Sequence, residues 1–517
     1  MSEQTIQQEW KPKGNPWLMI LPVMTATFMY ALDETVANVA LPHIAGSYSV
    51  SQQESIWVLT SYLMASSIVI PMIDFFCKFF GRKNFFMFGV FIFTIASFLC
   101  GISNSIGMIV IARAMQGFGG GCLLPMAQAI CMETFQGEAR NKAMAVFGLV
   151  VVVAPILGPV LGGWITENWS WPYIFFINIP IGFLCISFAK KYLEDPPYAK
   201  KQKNVQIDKL AFLWLCVWLI PLQIVFDKGN DADWFNAPWI CWMTSVAILG
   251  AILFFRSQVV SKNPFIKLDV LKDSNFLCGT GMIILINAVM LASLAILPQM
   301  LQTMLGYDAF TSGLAIMPRG VGAFAALMFF GCIGSKLTYR TYGLIGLGCL
   351  ALGGWLLSTL NLQINTFNIA FPNFVFGVGM VLTMMPVKTL SCITLKNEQM
   401  TNASGFQNLL QTIGGAIGTS LVATMLSRFS QVHQAGLVKN MYDLNPAYTE
   451  RLNSYAGALF HQAGEWMNST YMASKMLYSQ LLQQSTLCAY MTTFKVFALA
   501  CMILIPFMFI LKGEQKA

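Results

Sequence analysis

Three places put ionisable side chains inside stretches of chain that are otherwise apolar. Asp33 and Glu34 follow Leu32 in the run Leu32-Asp33-Glu34-Thr35-Val36-Ala37-Asn38-Val39-Ala40-Leu41-Pro42. Arg113 stands about seven residues into another apolar run, and Arg319 follows Pro318 in a third. A charge at the centre of a bilayer costs about 2.5–3.5 kcal/mol on insertion scales, so each is a candidate functional group by default. The chemistry available to a carboxyl and a guanidinium there is proton exchange and charge switching. The stretches bearing Asp33 and Arg113 run in opposite directions, which places both groups at similar depth toward the outer face. They are expected to interact, directly or through water. Protonating Asp33 would then release Arg113; the competing reading is a permanent structural pair. Arg319 has two open roles, attraction of an anionic substrate group or pairing with a carboxylate across a cavity. Asp33, Arg113 and Glu34 are the proton-coupling candidates. Asn38, Gln116, Arg319 and Gln299 are the candidates for a substrate cavity.

A second group of charges belongs to the inner face. Asp74 and Glu133 lie near the cytoplasmic ends of their stretches, and with Arg82, Lys83 and Arg140 they could form a charge network that closes in one conformation. Exposed members of such a network are individually weak. Arg113-Ala114-Met115-Gln116-Gly117-Phe118-Gly119-Gly120-Gly121 is glycine-rich but is no phosphate loop, because no Gly-Lys-Ser/Thr follows and the run is intramembrane. Its glycines suit close helix contact. Pro155, Gly158, Pro159, Gly162 and Gly163 share one stretch, where two prolines remove helix hydrogen bonds and the glycines remove side chains. That helix is expected to kink and to pack closely enough to seal a cavity.

The elements that must position these groups are membrane spans. Only 10% of the 517 residues are charged and 56% are hydrophobic, whereas soluble domains carry about a quarter charged. About fourteen apolar stretches are long enough to cross a bilayer, at roughly 17–38, 56–77, 85–103, 107–131, 142–165, 173–190, 209–227, 238–255, 276–297, 312–332, 341–360, 367–391, 404–425 and 490–511. Of the 31 lysines and arginines, 23 fall in the two tails and alternate gaps, on one side. The positive-inside rule places both termini in the cytoplasm and explains the net charge of +8 without nucleic acid. The first stretch is too long for a signal-peptide core and reads as a retained helix.

Nothing in the chain points to metal or covalent chemistry. No HExxH, P-loop or paired-histidine set occurs, and the 13 cysteines form no CxxC pair. The expected division is an N-terminal six-helix bundle at 1–190, a cytoplasmic linker with two inserted helices at 191–265, and a C-terminal six-helix bundle at 266–517 with an extracytoplasmic loop at 427–484. In that loop Asn445-Pro446 looks like a helix start, followed by Tyr448, Leu452, Tyr455 and Leu459 on one face. It reads either as a hairpin folded on the protein's own outer face or as a docking surface. A weak internal echo supports two related halves: Gly158 and Gly162 in the fifth span, Gly414 and Gly418 in the thirteenth.

Taken together these residues resemble the major facilitator superfamily, in particular its fourteen-span drug:proton antiporters, the EmrB/QacA group. Leu32-Asp33 through Pro42 matches that group's first-span motif and Arg113 through Gly117 its RxxQG motif. Pro155 through Gly163 matches the antiporter motif, and Phe175-Phe176-Ile177-Asn178-Ile179-Pro180 matches FFINxP. Leu222 through Trp234, and Leu297-Pro298-Gln299 with Gly306-Tyr307, Gly313 and Pro318, resemble further signatures of the group. Two departures stand out. Asp74 and Phe76 replace the glycine and leucine of the loop motif that retains Gly81 and Arg82, and Thr492 stands where many relatives have an aspartate. The resemblance implies an all-α membrane fold of two six-helix bundles plus two inserted helices. It also implies export by alternating access, driven by the proton gradient without a cofactor, of small hydrophobic or amphipathic compounds from a bacterial inner membrane. Relatives of this kind work with a periplasmic membrane-fusion adaptor and an outer-membrane channel.

Overall fold

The computed structural model describes residue 12 and residues 14–135, 137–196, 208–261, 264, 268–333, 337–361, 366–395, 397–442, 444–463 and 466–512. Within those ranges the side chains of Asp74 and Arg140 lie outside the described set, so the part expected of them at the inner face has no geometry here. Thirteen helices among the described residues are long and apolar enough to cross a membrane. A shorter apolar helix, Trp57–Met72, stands where the second span was expected.

Helix α1 (Pro16–Tyr48) starts where the Asn15 side chain accepts a hydrogen bond from the Trp17 amide at 3.0 Å, with proline at the first helical position. Both features are favourable N-terminal signals. The second span is α2 (Trp57–Val69), a 3₁₀ turn at Ile70–Met72, and α3 (Ile73–Phe80). Pro71, which has no amide proton, sits in that turn and accounts for the break. Gly81 then takes φ 87° between α3 and α4 (Arg82–Gly101), a backbone region open to glycine, so the loop glycine is a conformational requirement. The fourth span is α5 (Ile106–Gly120) followed by α6 (Leu123–Thr134). Helix α7 (Gly137–Asn168) contains both Pro155 and Pro159 and α8 (Asn178–Tyr192) closes the first half. The inserted pair is α9 (Lys209–Lys228) and α10 (Pro238–Val260). The second half comprises α11 (Ser274–Leu305), α12 (Ala309–Ile316), α13 (Pro318–Ile333), α14 (Tyr339–Leu357), α15 (Thr366–Cys392), α16 (Asn397–Val438), α17 (Pro446–Ala463) and α18 (Trp466–Ile510).

The glycine echo has a packing counterpart. A methyl group on Gly158 would strike Thr35 Oγ1, and one on Gly162 would lie 3.0 Å from Val36, so α7 rides directly on α1. In the second half, a methyl group on Gly414 would lie 2.6 Å from the Ile284 carbonyl and one on Gly418 would strike that of Ala288, so α16 rides on α11 in the same way. Within a bilayer such close approach supplies the dispersion energy that holds helices together. The halves meet along two seams. Helix α7 packs against α12 and α13, with Gly313 close to Pro159 and Val160, and α16 packs on the 3₁₀ turn within the second span. The inserted pair leans on both halves, α9 touching α2 and α16.

The expected outer loop at 427–484 is largely helix. Helix α16 runs 42 residues and α18 runs 45, both well past the bilayer, with α17 packed on α18. Hydropathy marks only the buried part of such a helix. No proline interrupts either extension, and polar contacts tie the two helices together: Gln434 Nε2 donates to Tyr478 OH at 2.9 Å, and His433 Nε2 lies 3.0 Å from Thr492 Oγ1. Helix α17 begins at Pro446, with Asn445 Oδ1 accepting from the Ala447 amide at 3.2 Å, as its sequence signals.

Candidate functional site

The first half holds a closed polar cluster. Asp33 on α1 accepts at Oδ2 from Arg113 Nη1 on α5 at 2.6 Å. Its Oδ1 accepts from Gln116 Nε2 at 2.8 Å and from Asn178 Nδ2 on α8 at 2.7 Å. Gln116 Oε1 in turn accepts from Arg113 Nη1 at 2.7 Å, and Gln116 Nε2 donates to Ser97 Oγ on α4 at 2.8 Å. Arg113 Nε donates to the Val58 carbonyl on α2 at 3.1 Å, and the guanidinium carbon lies 4.2 Å from the centre of the Tyr62 ring. All these polar side chains are buried. Five helices therefore converge on one ion pair, which a low-dielectric interior favours, although Arg113 Nη2 and Asn178 Oδ1 are buried without a hydrogen-bond partner.

The arrangement brings Asp33 and Arg113 together as expected and corrects two other placements. Gln116, expected to line a substrate cavity, is fully buried and spends its amide bridging Asp33, Arg113 and Ser97; it positions the acid. The RxxQG spacing explains this, since residues three apart share a helix face. Glu34 is outside the cluster. It is part-exposed, and its carboxyl makes no hydrogen bond or ion pair with any described residue. Around α1, Asp33 points at α5, while Thr35 and Val36 meet the glycines of α7. Tyr30 stacks on Tyr62 of α2, their rings 6.0 Å apart. At helical spacing Tyr30, Glu34 and Asn38 form the face between α2 and α7, and these are the two spans through which the first half meets the second. Asn38 and Gln299 are both exposed.

Two participants were missed in the sequence. Asn178 was visible only as a letter of a motif, and Ser97 as an unremarkable serine in an apolar helix. Polar residues inside spans are the signal, but which of them meet depends on helix rotation.

Arg319 on α13 is also buried, at 4% exposure. Its Nε donates to Asn373 Oδ1 on α15 at 3.2 Å and its Nη1 to Ser293 Oγ on α11 at 3.1 Å, while the guanidinium carbon lies 4.6 Å from the Phe376 ring centre. No carboxylate is paired with it among the described residues, so the cross-cavity ion pair is not formed in this conformation.

At the inner face Arg82 and Glu133 form a two-pronged pair, both N–O distances 2.8 Å. Such fork geometry gives orientation as well as energy. Lys83 contributes differently from expectation: its amide donates to Asp195 Oδ1 and its Nζ to the Lys190 carbonyl, each at 2.8 Å. These bonds fasten the start of the linker to the α3–α4 corner.

Comparison with known proteins agrees with this geometry. The family model described as Major Facilitator Superfamily matches residues 23–419. The chain is 32% identical over 444 residues to the multidrug export protein EmrB of Escherichia coli K12, covering 85% of this chain and 86% of that protein. It is 31% identical to the probable multidrug resistance protein EmrY of the same strain, over 86% and 88% of the two chains. It is 32% identical to the fatty acid resistance protein FarB of Neisseria gonorrhoeae, over 84% and 85%. With thirteen long apolar helices, the glycine-sealed contact of α7 on α1 and a matched span of this length, the chain is a multi-pass membrane protein and belongs to the Major Facilitator Superfamily.

Proposed function

We propose that this protein exports small hydrophobic and amphipathic compounds across a bacterial inner membrane by alternating access, with inward proton flow as its only energy source and no chemical step of its own. The similarity to a multidrug export protein and a fatty acid resistance protein supports the substrate class. The observation that carries proton coupling is the pair of adjacent acids on α1. Asp33 is neutralised by Arg113 inside the bundle, and Glu34 is unpaired on the face turned toward the second half. Protonating Asp33 would remove the charge that balances the buried Arg113, whereas protonating Glu34 breaks no ion pair among the described residues. Glu34 thus serves as the entry point and the Asp33–Arg113 pair as the element that repacks when the halves rock. At 100 mV one inward charge supplies about 2.3 kcal/mol, enough for roughly fiftyfold accumulation of a neutral compound.

Both termini face the cytoplasm on the charge pattern of the sequence. The long α16–α18 pair with α17 folded on it stands on the outer side, where it would be available to a periplasmic adaptor. Reconstitution into vesicles with an imposed pH gradient, across a panel of compounds, tests the reading. Gradient-dependent transport of several unrelated compounds is expected, and Glu34→Gln should lose most of it while keeping wild-type yield and melting temperature. Transport of a single compound would favour a dedicated metabolite exporter, and full coupling in the Glu34→Gln variant would remove that residue from the proton path.

A further inference from the structure

The two halves place their buried arginines on different helices of an otherwise matching frame. A methyl group on Gly117 of α5 would strike the Tyr62 carbonyl of α2, and one on Gly377 of α15 would strike the Arg319 carbonyl of α13. Aligned on these contacts, Arg319 occupies the position of Tyr62, and Asn373, four residues before Gly377, occupies the position of Arg113, four before Gly117. The guanidinium and the aromatic ring have exchanged helices: Arg113 of α5 lies over Tyr62 of α2, Arg319 of α13 over Phe376 of α15. What has no counterpart is the carboxylate. Between residues 274 and 442 the chain contains only Asp308 and Glu398, both outside the apolar cores of the spans. Arg319 is therefore a buried cation whose three described neighbours are an amide, a hydroxyl and a ring. Its Nη2 is buried with no hydrogen-bond partner, as is that of Arg113, so the missing carboxylate is what sets Arg319 apart.

An unpaired charge in an apolar interior is costly, and a counter-charge brought beside it relieves that cost. Arg319 sits on the helix that packs against α7 of the other half, while its own partners, on α11 and α15, all belong to the second half. We infer that Arg319, with Asn373 and Ser293, is an oxyanion-binding site of the second half that takes the carboxylate head of an amphipathic substrate. The word substrate rests on the exporter reading above. The anion binding does not, and it is measurable without transport.

The test uses the full-length protein in maltoside micelles free of anionic lipid, with sodium laurate as probe and tetraphenylphosphonium as cationic comparator. Wild type should bind laurate, and Arg319→Gln should weaken that affinity about tenfold or more while changing tetraphenylphosphonium binding little. Asn373→Asp is the second variant, because it keeps the arginine and installs beside it the acid that the first half has. It should fold, raise the melting temperature and abolish laurate binding to a similar degree. Unchanged laurate affinity in either well-folded variant, or equal weakening of both probes, would overturn the site. So would displacement of laurate by an equal concentration of short-chain phosphatidylglycerol, which would assign the pocket to a lipid headgroup. If laurate binds as expected and yet no compound moves in vesicles, the anion site stands and the exporter reading falls.

Discussion

The first half of the molecule solves the problem of a buried guanidinium internally, and the second half leaves it unsolved. Arg113 has Asp33 at 2.6 Å, whereas Arg319 has no carboxylate among the described residues and bonds at 3.2 Å to Asn373, which stands where Arg113 stands in the first half. Backbone packing is alike in the two halves, as the paired glycine contacts show, but charge is not. The lesson is that duplication of a helical frame fixes where side chains meet and leaves their chemistry free. One half can then hold a self-neutralised switch while the other keeps a charge available to a ligand.

The comparison breaks most sharply at Asp33. Asparagine there leaves Arg113 as bare as Arg319, and removing one partner of a buried pair costs about 3–5 kcal/mol. Asp33→Asn should therefore lower the melting temperature markedly as well as stop transport. A variant that melts like wild type would show that Asp33 is not a structural anchor.

An intermediate effect is expected from the shared frame. Gly117→Ala and Gly377→Ala each press a methyl group into a neighbouring carbonyl, and overpacking of this kind costs about 1–3 kcal/mol. Comparable losses in melting temperature would confirm that the two contacts are equivalent. A large loss at one site alone would mean that the alignment of Tyr62 with Arg319 fails.

The smallest effect belongs outside the membrane. Asp233, in the loop joining α9 and α10, is held below the usual carboxylate range by a hydrogen bond from Asn236 and by Arg428 of α16, with which it forms an exposed ion pair. A depressed carboxyl contributes stability above its unfolded pKa, and that contribution fades as the pH falls through the depressed folded value. Asp233→Asn should lower the melting temperature slightly at pH 7, leave it unchanged in strong acid, and so flatten the acid limb of the profile. A large shift at pH 7 would mean that this loop clamps the inserted pair to the second half.

The all-α architecture, the span count, the meeting of Asp33 with Arg113 and the start of α17 at Pro446 were legible in the sequence. Each rests on a local rule: apolar length, the cost of a lone charge in lipid, capping chemistry. The packing of Gly158 and Gly162 was legible too, because only small residues permit that approach. The burial of Gln116, the entry of Asn178 and Ser97 and the turn of Glu34 away from the Asp33–Arg113 pair were not. All four depend on the rotation of a helix about its axis, and in a helix apolar on every side nothing in the pattern fixes that rotation. The helical extensions of α16 and α18 escaped for a different reason, since polarity in a stretch outside the bilayer does not distinguish helix from loop.

Sequence by itself determined that this chain must lie in a membrane, cross it many times and shelter a few charges. Leaving the bilayer for water, or burying those charges without purpose, costs more than any local preference returns. Tertiary structure alone decided which charge is paid for. Whether an arginine faces an aspartate or an asparagine depends on which helices are neighbours and how each is turned, and that is settled only when five or more spans pack around one point.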